Sequence, residues 1–258
     1  MSEKAFVCLV VLLFVSVAVH GSTPASTDVL HYAATLEPDI AGKSVKGFVL
    51  IRLLATSPVV EFDCGELTID SVQDRGKPLQ FSVNDHKLRV SVPGTKKETE
   101  IEVRFHGLPR RGIRFFPDRQ QVYTVFSTSQ WMVCVDDPSD KATLTFQLIL
   151  PDTLTPIANG QLVSQRDLPN KKRLTEWRQR TPIPTYIFGF AAGPFHVVNQ
   201  KRGNVELQYL ATNYSEADVL RIFRATPDML DFFEQRAGVK YADKTYTRSS
   251  PRAALNRR

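Results

Sequence analysis

The chain has 258 residues, 42% hydrophobic and 23% charged, with a formal net charge of +6. This is globular composition with enough sequence for one large domain or two small ones, which excludes a disordered chain. Residues 240–258 hold six basic side chains and one acid, so the rest is nearly neutral and offers no nucleic-acid-binding face.

Lys4 precedes an apolar run, Ala5 to Val19, with small residues at Gly21 and Ser22. That is the pattern of a secretory signal peptide over residues 1–21, shorter than the roughly twenty apolar residues of a membrane span. A secreted or periplasmic location is expected, with an N-terminal membrane anchor as the alternative. Residues 22–28 form a Ser/Thr/Pro-containing leader. Beyond the signal stand two cysteines, Cys64 and Cys134. An oxidising compartment permits a disulfide between them, and their bulky neighbours suit two separately buried thiols as well. No C-x-x-C is present, which excludes a zinc ribbon or redox pair.

From Leu30 the pattern is that of strands: Leu30–Leu36, Val45–Leu54, Val59–Phe62 and Leu67–Val72. Leu79–Val83 and Lys87–Val92 flank Asn84-Asp85, read as a two-residue hairpin connection. Thr99–Phe105 sets Ile101, Val103 and Phe105 on one face. A basic loop over Gly107–Gly112 leads into Ile113–Phe116. Val122–Thr128 is the next strand, followed by Trp131, Met132 and Cys134, then a turn at Asp136-Asp137-Pro138 and a long strand, Ala142–Leu150. Asp side chains and Pro are turn formers, so the acidic turn reads first as structural.

Ile157–Gln165 and Arg173–Arg180 read as a hairpin turning at Asn170-Lys171-Lys172, with Tyr186–Phe190 and Val205–Ala211 as the last strands. Ser215 then caps a helical stretch with Val219, Ile222, Phe223, Leu230 and Phe233 at helical spacing. Pro227 either kinks this helix or starts a second one behind Thr226, and Gly238 ends it. Residues 248–258 are basic, aperiodic and expected to be disordered. The fold class is mainly β: a large antiparallel multi-sheet domain, sandwich- or saddle-like, over 29–212, then a short helical segment over 213–247.

The residues alone assign no chemistry. His31, His86, His106 and His196 are far apart and no H-E-x-x-H occurs, so no metal ligand is assigned. Asp136, Asp137 and Asp140 lack the glycine and terminal glutamate of an EF-hand loop. Ser127, Thr128 and Ser129 have no histidine nearby in sequence, and no catalytic residue is assigned. Asn213-Tyr214-Ser215 fits a glycosylation acceptor.

Several motifs in order carry a family likeness. Tyr123-Thr124-Val125, Cys134-Val135-Asp136-Asp137-Pro138 and Lys141-Ala142-Thr143 come first. Tyr32 to Pro38 with Gly47 to Ile51, Ala158-Asn159-Gly160, Tyr186 to Phe195, and Thr226 to Val239 complete the set. Together they resemble the N-terminal β domain and first catalytic-domain helix of the aminopeptidase N family of zinc metallopeptidases, over roughly residues 28 to 247. The resemblance implies that Val125, Ser127, Asp136 and Asp137 lie near a peptide substrate. In the family pattern a glutamine and a glutamate, which help hold the substrate's amine, stand where this chain has Val125 and Ser127. Glutamate is usual at Asp137.

The family's zinc ligands and general base come from an H-E-x-x-H helix and a later glutamate, beyond a glycine-x-methionine-glutamate-asparagine strand. None of these motifs occurs in the 258 residues. The resemblance therefore implies a domain without its own cofactor, inactive alone, whose partner is a separate or missing metallopeptidase catalytic domain. Peptide substrate and zinc belong to the full-length context. A truncated or frameshifted reading frame, or a split gene, would produce such an end. The alternatives are a stand-alone β module binding protein or glycan, and an enzyme with an unrecognised site around Asp136, Asp137 and Ser127.

Overall fold

The computed structural model describes residues 27–94 and 97–249. The expected signal peptide, nearly all of the leader, and the tail from residue 250 onward lie outside the described residues. The molecule is built on an eight-stranded sheet. Its centre is β1 (Thr27–Asp39), antiparallel to β2 (Ser44–Ala55) and parallel to β11 (Lys141–Pro151). Outward from β2 lie β8 (Lys97–Gly107), β4 (Thr68–Asp74) and β5 (Lys77–Pro78). Outward from β11 lie β14 (Lys172–Pro184) and, at the edge, β13 (Gln161–Leu168).

Period-two alternation turns one face of this sheet inward. Tyr32, Ala34 and Leu36, then Val49, Ile51 and Leu53, Ile101, Val103 and Phe105, and Leu144, Phe146 and Leu148 are all buried. Each large apolar side chain among them contributes about 1.5–3 kcal/mol by burial. Polar pairs such as Thr35–Gln147 and Gln147–Glu176 lie between the strands, outside this apolar set.

Two smaller sheets share that core. One is β3 (Val59–Asp63), β7 (Lys87–Ser91) and β6 (Phe81–Asn84). The other, in spatial order, is β12 (Thr155–Ala158), β15 (Phe190–Gly193), β10 (Gln121–Thr124) and β9 (Ile113–Phe116). The fourth sheet joins β16 (His196–Arg202), β17 (Val205–Ala211) and β18 (Thr245–Ser249), the last pair parallel. Its Val198, Leu207, Tyr209 and Ala211 pack with Val219, Phe223 and Leu230 of the helical segment in a second core. β16 and β17 thus pack with the helices, although the sequence reading groups 29–212 as one domain.

The β-rich, multi-sheet class is what the structure shows, and several local readings change. The hairpin between β6 and β7 turns at Asp85-His86, both left-handed (φ 50° and 64°), one residue beyond the expected pair. Ile157–Gln165 is two strands in different sheets, split at Gly160 (φ 82°), where an added Cβ would sit 2.2 Å from the Arg178 carbonyl. Thr185–Ile187 is a 3-10 turn, and the strand begins only at Phe190.

Pro227 opens a second helix: α1 spans Glu216–Ile222 and α2 Thr226–Ala237. Ser215 caps α1 by accepting the Asp218 N–H, and Gly238 ends α2 in the left-handed conformation. Of the side chains at helical spacing in α2, Leu230 is buried, whereas Phe233 is 60% exposed, as are large parts of the neighbouring Phe232 and Met229. Arg248 and Ser249, expected in the tail, belong to β18 because they pair with Tyr209 and Leu210 of β17.

Candidate functional site

The segment from β10 to β11 carries the sequence-predicted site residues. β10 stops at Thr124, and the expected continuation to Thr128 does not form. The Val125 N–H instead donates to the Gly112 carbonyl at 2.8 Å. Phe126 and Ser127 then both turn left-handed (φ 50° and 46°), a conformation non-glycine residues rarely take. Gly112 (φ 74°) fits against them, since a Cβ there would lie 2.5 Å from the Ser127 carbonyl. Val125 and Phe126 consequently stand out from the surface, Phe126 63% exposed.

After a 3-10 turn over Thr128–Gln130, residues Trp131 to Cys134 are fully buried. Trp131 lies among Phe146 and Phe190, at 6.1 and 5.8 Å between ring centroids. The chain re-emerges at Val135 held on both sides. Its N–H donates to the Tyr32 hydroxyl at 3.0 Å, and its carbonyl accepts from Thr185 Oγ1 at 2.7 Å. Thr128 Oγ1 in turn donates to the Thr185 carbonyl at 2.6 Å. Cys134 and Asp63 of β3 form a backbone bridge, and the Asp136 N–H donates to Asp63 Oδ2 at 3.0 Å.

The two aspartates are therefore exposed but engaged. Asp136 Oδ2 accepts from Ser129 Oγ at 2.8 Å, which ties the acidic turn to the loop carrying Ser127. Asp137 Oδ1 accepts from both the N–H and the hydroxyl of Ser139, which hold its carboxyl below the usual range. Asp136 and Asp137 adjoin each other, whereas Val125 and Ser127 lie on the separate loop, and the Ser127 hydroxyl has no partner among the described residues. Neither Val125 nor Ser127 offers a carboxylate or carboxamide to an ammonium group.

Sequence reasoning missed the anchors Asp63, Thr185 and the Tyr32 hydroxyl. Nothing local marks them, since each meets the turn from 50 or more positions away. It also missed Asp140, which stands directly before β11. Asp140 Oδ1 accepts the Val29 N–H at 3.1 Å, and its Oδ2 is buried without a partner among the described residues. Burial is the main reason its carboxyl is pushed up to about 6.

Cys64 and Cys134 are free and buried, so the disulfide left open by the sequence is not formed. Cys64 Sγ donates to the His86 carbonyl, and burial pushes its thiol up to about 11. Burial raises the Cys134 thiol as well. The described histidines sit on separate elements: His31 meets Thr143 and His106 meets Asp70. No group of three His, Cys, Asp or Glu side chains among the described residues could hold a metal ion, so no donor set for zinc is assigned in them.

Comparison with known proteins supplies the context. The chain is 24% identical over 220 residues to a probable aminopeptidase 2 of Sulfurisphaera tokodaii, and 20% over 237 residues to the mitochondrial aminopeptidase 2 of Saccharomyces cerevisiae. These matches cover 81% and 82% of this chain but 28% and 25% of the relatives, so it spans about a quarter of their length. Its fold matches the M1 zinc metallopeptidase of Deinococcus radiodurans with a TM-score of 0.67 at 20% identity, over 87% of this chain and 56% of that one. A mutant of that enzyme with a bound Tyr-Ser-Ala substrate gives 0.68. The model of the peptidase M1 N-terminal domain matches residues 28–187, more than half of the chain. The chain belongs to the M1 peptidase N-terminal domain family.

Proposed function

We propose that the chain serves as the N-terminal β domain of a zinc aminopeptidase, forming one wall of the cleft in which a peptide's N-terminus is held. Membership of the M1 N-terminal domain family carries this reading. The rigid mounting of the Asp136-Asp137 turn supports it, because three distant elements fix where the turn and the neighbouring Val125–Ser127 loop stand. The chemical step belongs to a metallopeptidase catalytic domain that supplies zinc and a general base, and the 258 residues alone do not hydrolyse peptides. Val125 and Ser127 leave the free amine without its usual partners, so the wall acts by shape more than by charge. Export follows from the apolar run Ala5–Val19.

The test is an assay of the purified chain with alanyl and leucyl chromogenic anilides and added zinc. No turnover is expected. Chelator-sensitive turnover would overturn the need for a second domain. In trans, an M1 catalytic domain lacking its own N-terminal domain should be captured by this chain, and failure to associate would remove the cleft-wall role.

A further inference from the structure

Two features of the C-terminal unit are left uncovered among the described residues. The first is the outward side of α2. Leu230 turns into the second core, while Met229, Phe232 and Phe233, at i, i+3 and i+4, share another side of the helix and are 41%, 52% and 60% exposed. The Phe232 and Phe233 rings stand edge to face, 5.6 Å between centroids, and the exposed Val239 follows just past Gly238.

The second is the outer edge of β18, which pairs with β17 on one side and with no strand among the described residues on the other. Edge strands are normally blunted by Lys, Pro or a bulge, and parallel strands are normally covered on both faces. β18 reads T-Y-T-R-S, with no Lys or Pro and an unbroken register. Its one charge, Arg248, is directed at α2, where it donates to Thr226 Oγ1 and Met229 Sδ. The apolar stripe and the strand edge are therefore one surface.

The unpaired edge decides the class of occupant. A lipid surface offers no strand to pair with it, and residues 216–249 carry six basic and six acidic side chains, so they have no net charge to draw anionic headgroups. A polypeptide supplies both a strand for the edge and apolar side chains for the stripe. Its identity follows from how far the likeness to known proteins extends. The N-terminal domain model stops at residue 187. All 187 residues up to that point fall short of 87% of 258, so the fold match with the Deinococcus enzyme runs into the C-terminal unit. That match takes in 56% of the enzyme, and the remainder has no counterpart among the matched residues.

We propose that the α2 stripe and the β18 edge form the docking surface for the catalytic polypeptide of an M1 peptidase, which adds a strand to β18 and covers Met229, Phe232 and Phe233. The kind of partner rests on the cleft-wall reading, and the place where it is gripped is a separate claim.

The full chain is recovered from its native source after lysine cross-linking, and linked peptides are identified by mass spectrometry. Lys240 and Lys244, both exposed, report the docking surface, and the exposed Lys141, directly after Asp140, reports the cleft wall. Lys240 and Lys244 should link to a polypeptide sequence carrying H-E-x-x-H. Such links without any from Lys141 would support the docking surface and remove the wall. Links from Lys141 alone would overturn the docking surface and keep the wall. Met229→Asp with Phe233→Asp, both on exposed residues, should lower the recovered partner about tenfold or more with an unaltered circular dichroism spectrum. Undiminished recovery, links from Lys240 or Lys244 only to a second copy of the chain, or phosphatidylglycerol-vesicle binding that the double variant abolishes would each overturn the proposal.

Discussion

Asp140 shows how a single carboxylate can work against the fold that contains it. It is 9% exposed, one oxygen accepts the Val29 N–H, and the other has no partner among the described residues. Burial outweighs the Val29 bond, and Asp28 and Asp137 add to the upward shift, to about 6 from 3.8. A carboxyl raised in the folded state favours folding when protonated. Its contribution is complete below about pH 4 and lost as pH rises through about 6. Asp140→Asn should therefore leave stability near pH 4 unchanged and raise it by about 1–3 kcal/mol at pH 7.5, measured by urea unfolding. Equal stabilisation at both pH values would contradict the titration. The buried thiols give a companion test. Thiolate is the reactive form, so Cys64 and Cys134 should resist a thiol reagent at pH 8 until the chain unfolds. Fast labelling of the native chain would refute their burial. None of this was legible locally, because Asp140 read as a third acid in a turn and its partner Val29 lies 111 positions away.

The C-terminal unit is a matter of elements. Arg202, on β16, donates to Glu234 and Asp231 of α2, and Glu234 also accepts the Tyr241 N–H. Arg202 first, then Tyr241, holds the Glu234 carboxyl down at about 2. A carboxylate lowered in this way stabilises above its unfolded pKa and loses the effect as pH falls toward the folded value. Arg202→Met should speed amide exchange across Thr226–Ala237 while the eight-stranded sheet keeps its protection, as read by hydrogen-exchange mass spectrometry. Uniform loss of protection would mean the two cores unfold as one. The helices here were legible because Ser215, Pro227 and Gly238 are strong local signals. β16 was not, since Val198 alone of its seven residues is buried. β18 was not either, because it exists by parallel pairing with β17 across the whole helical insertion.

At the scale of the molecule, the feature that decides the fold is how distant segments meet at one turn. β1 and β11 pair in parallel, His31 opposite Thr143, and that register delivers the Tyr32 hydroxyl to the Val135 N–H. Thr185 closes on the Val135 carbonyl from the other side, and Asp63 holds Asp136. The order of strands and the acidic turn could be read from alternation and turn residues. The pairing could not, because a strand's own pattern specifies its buried face but not its neighbour. If Val135 is the junction of these segments, its two anchors act together. Tyr32→Phe leaves the half-buried Val135 N–H unpaired and Thr185→Val its carbonyl, each costing about 0.5–1.5 kcal/mol. The double variant should cost clearly less than the sum, since the turn is released once, and a double-mutant cycle by urea unfolding measures the difference. Additive losses would show that β1 and the Thr185 turn grip the segment independently, and that the acidic turn is not one cooperative unit.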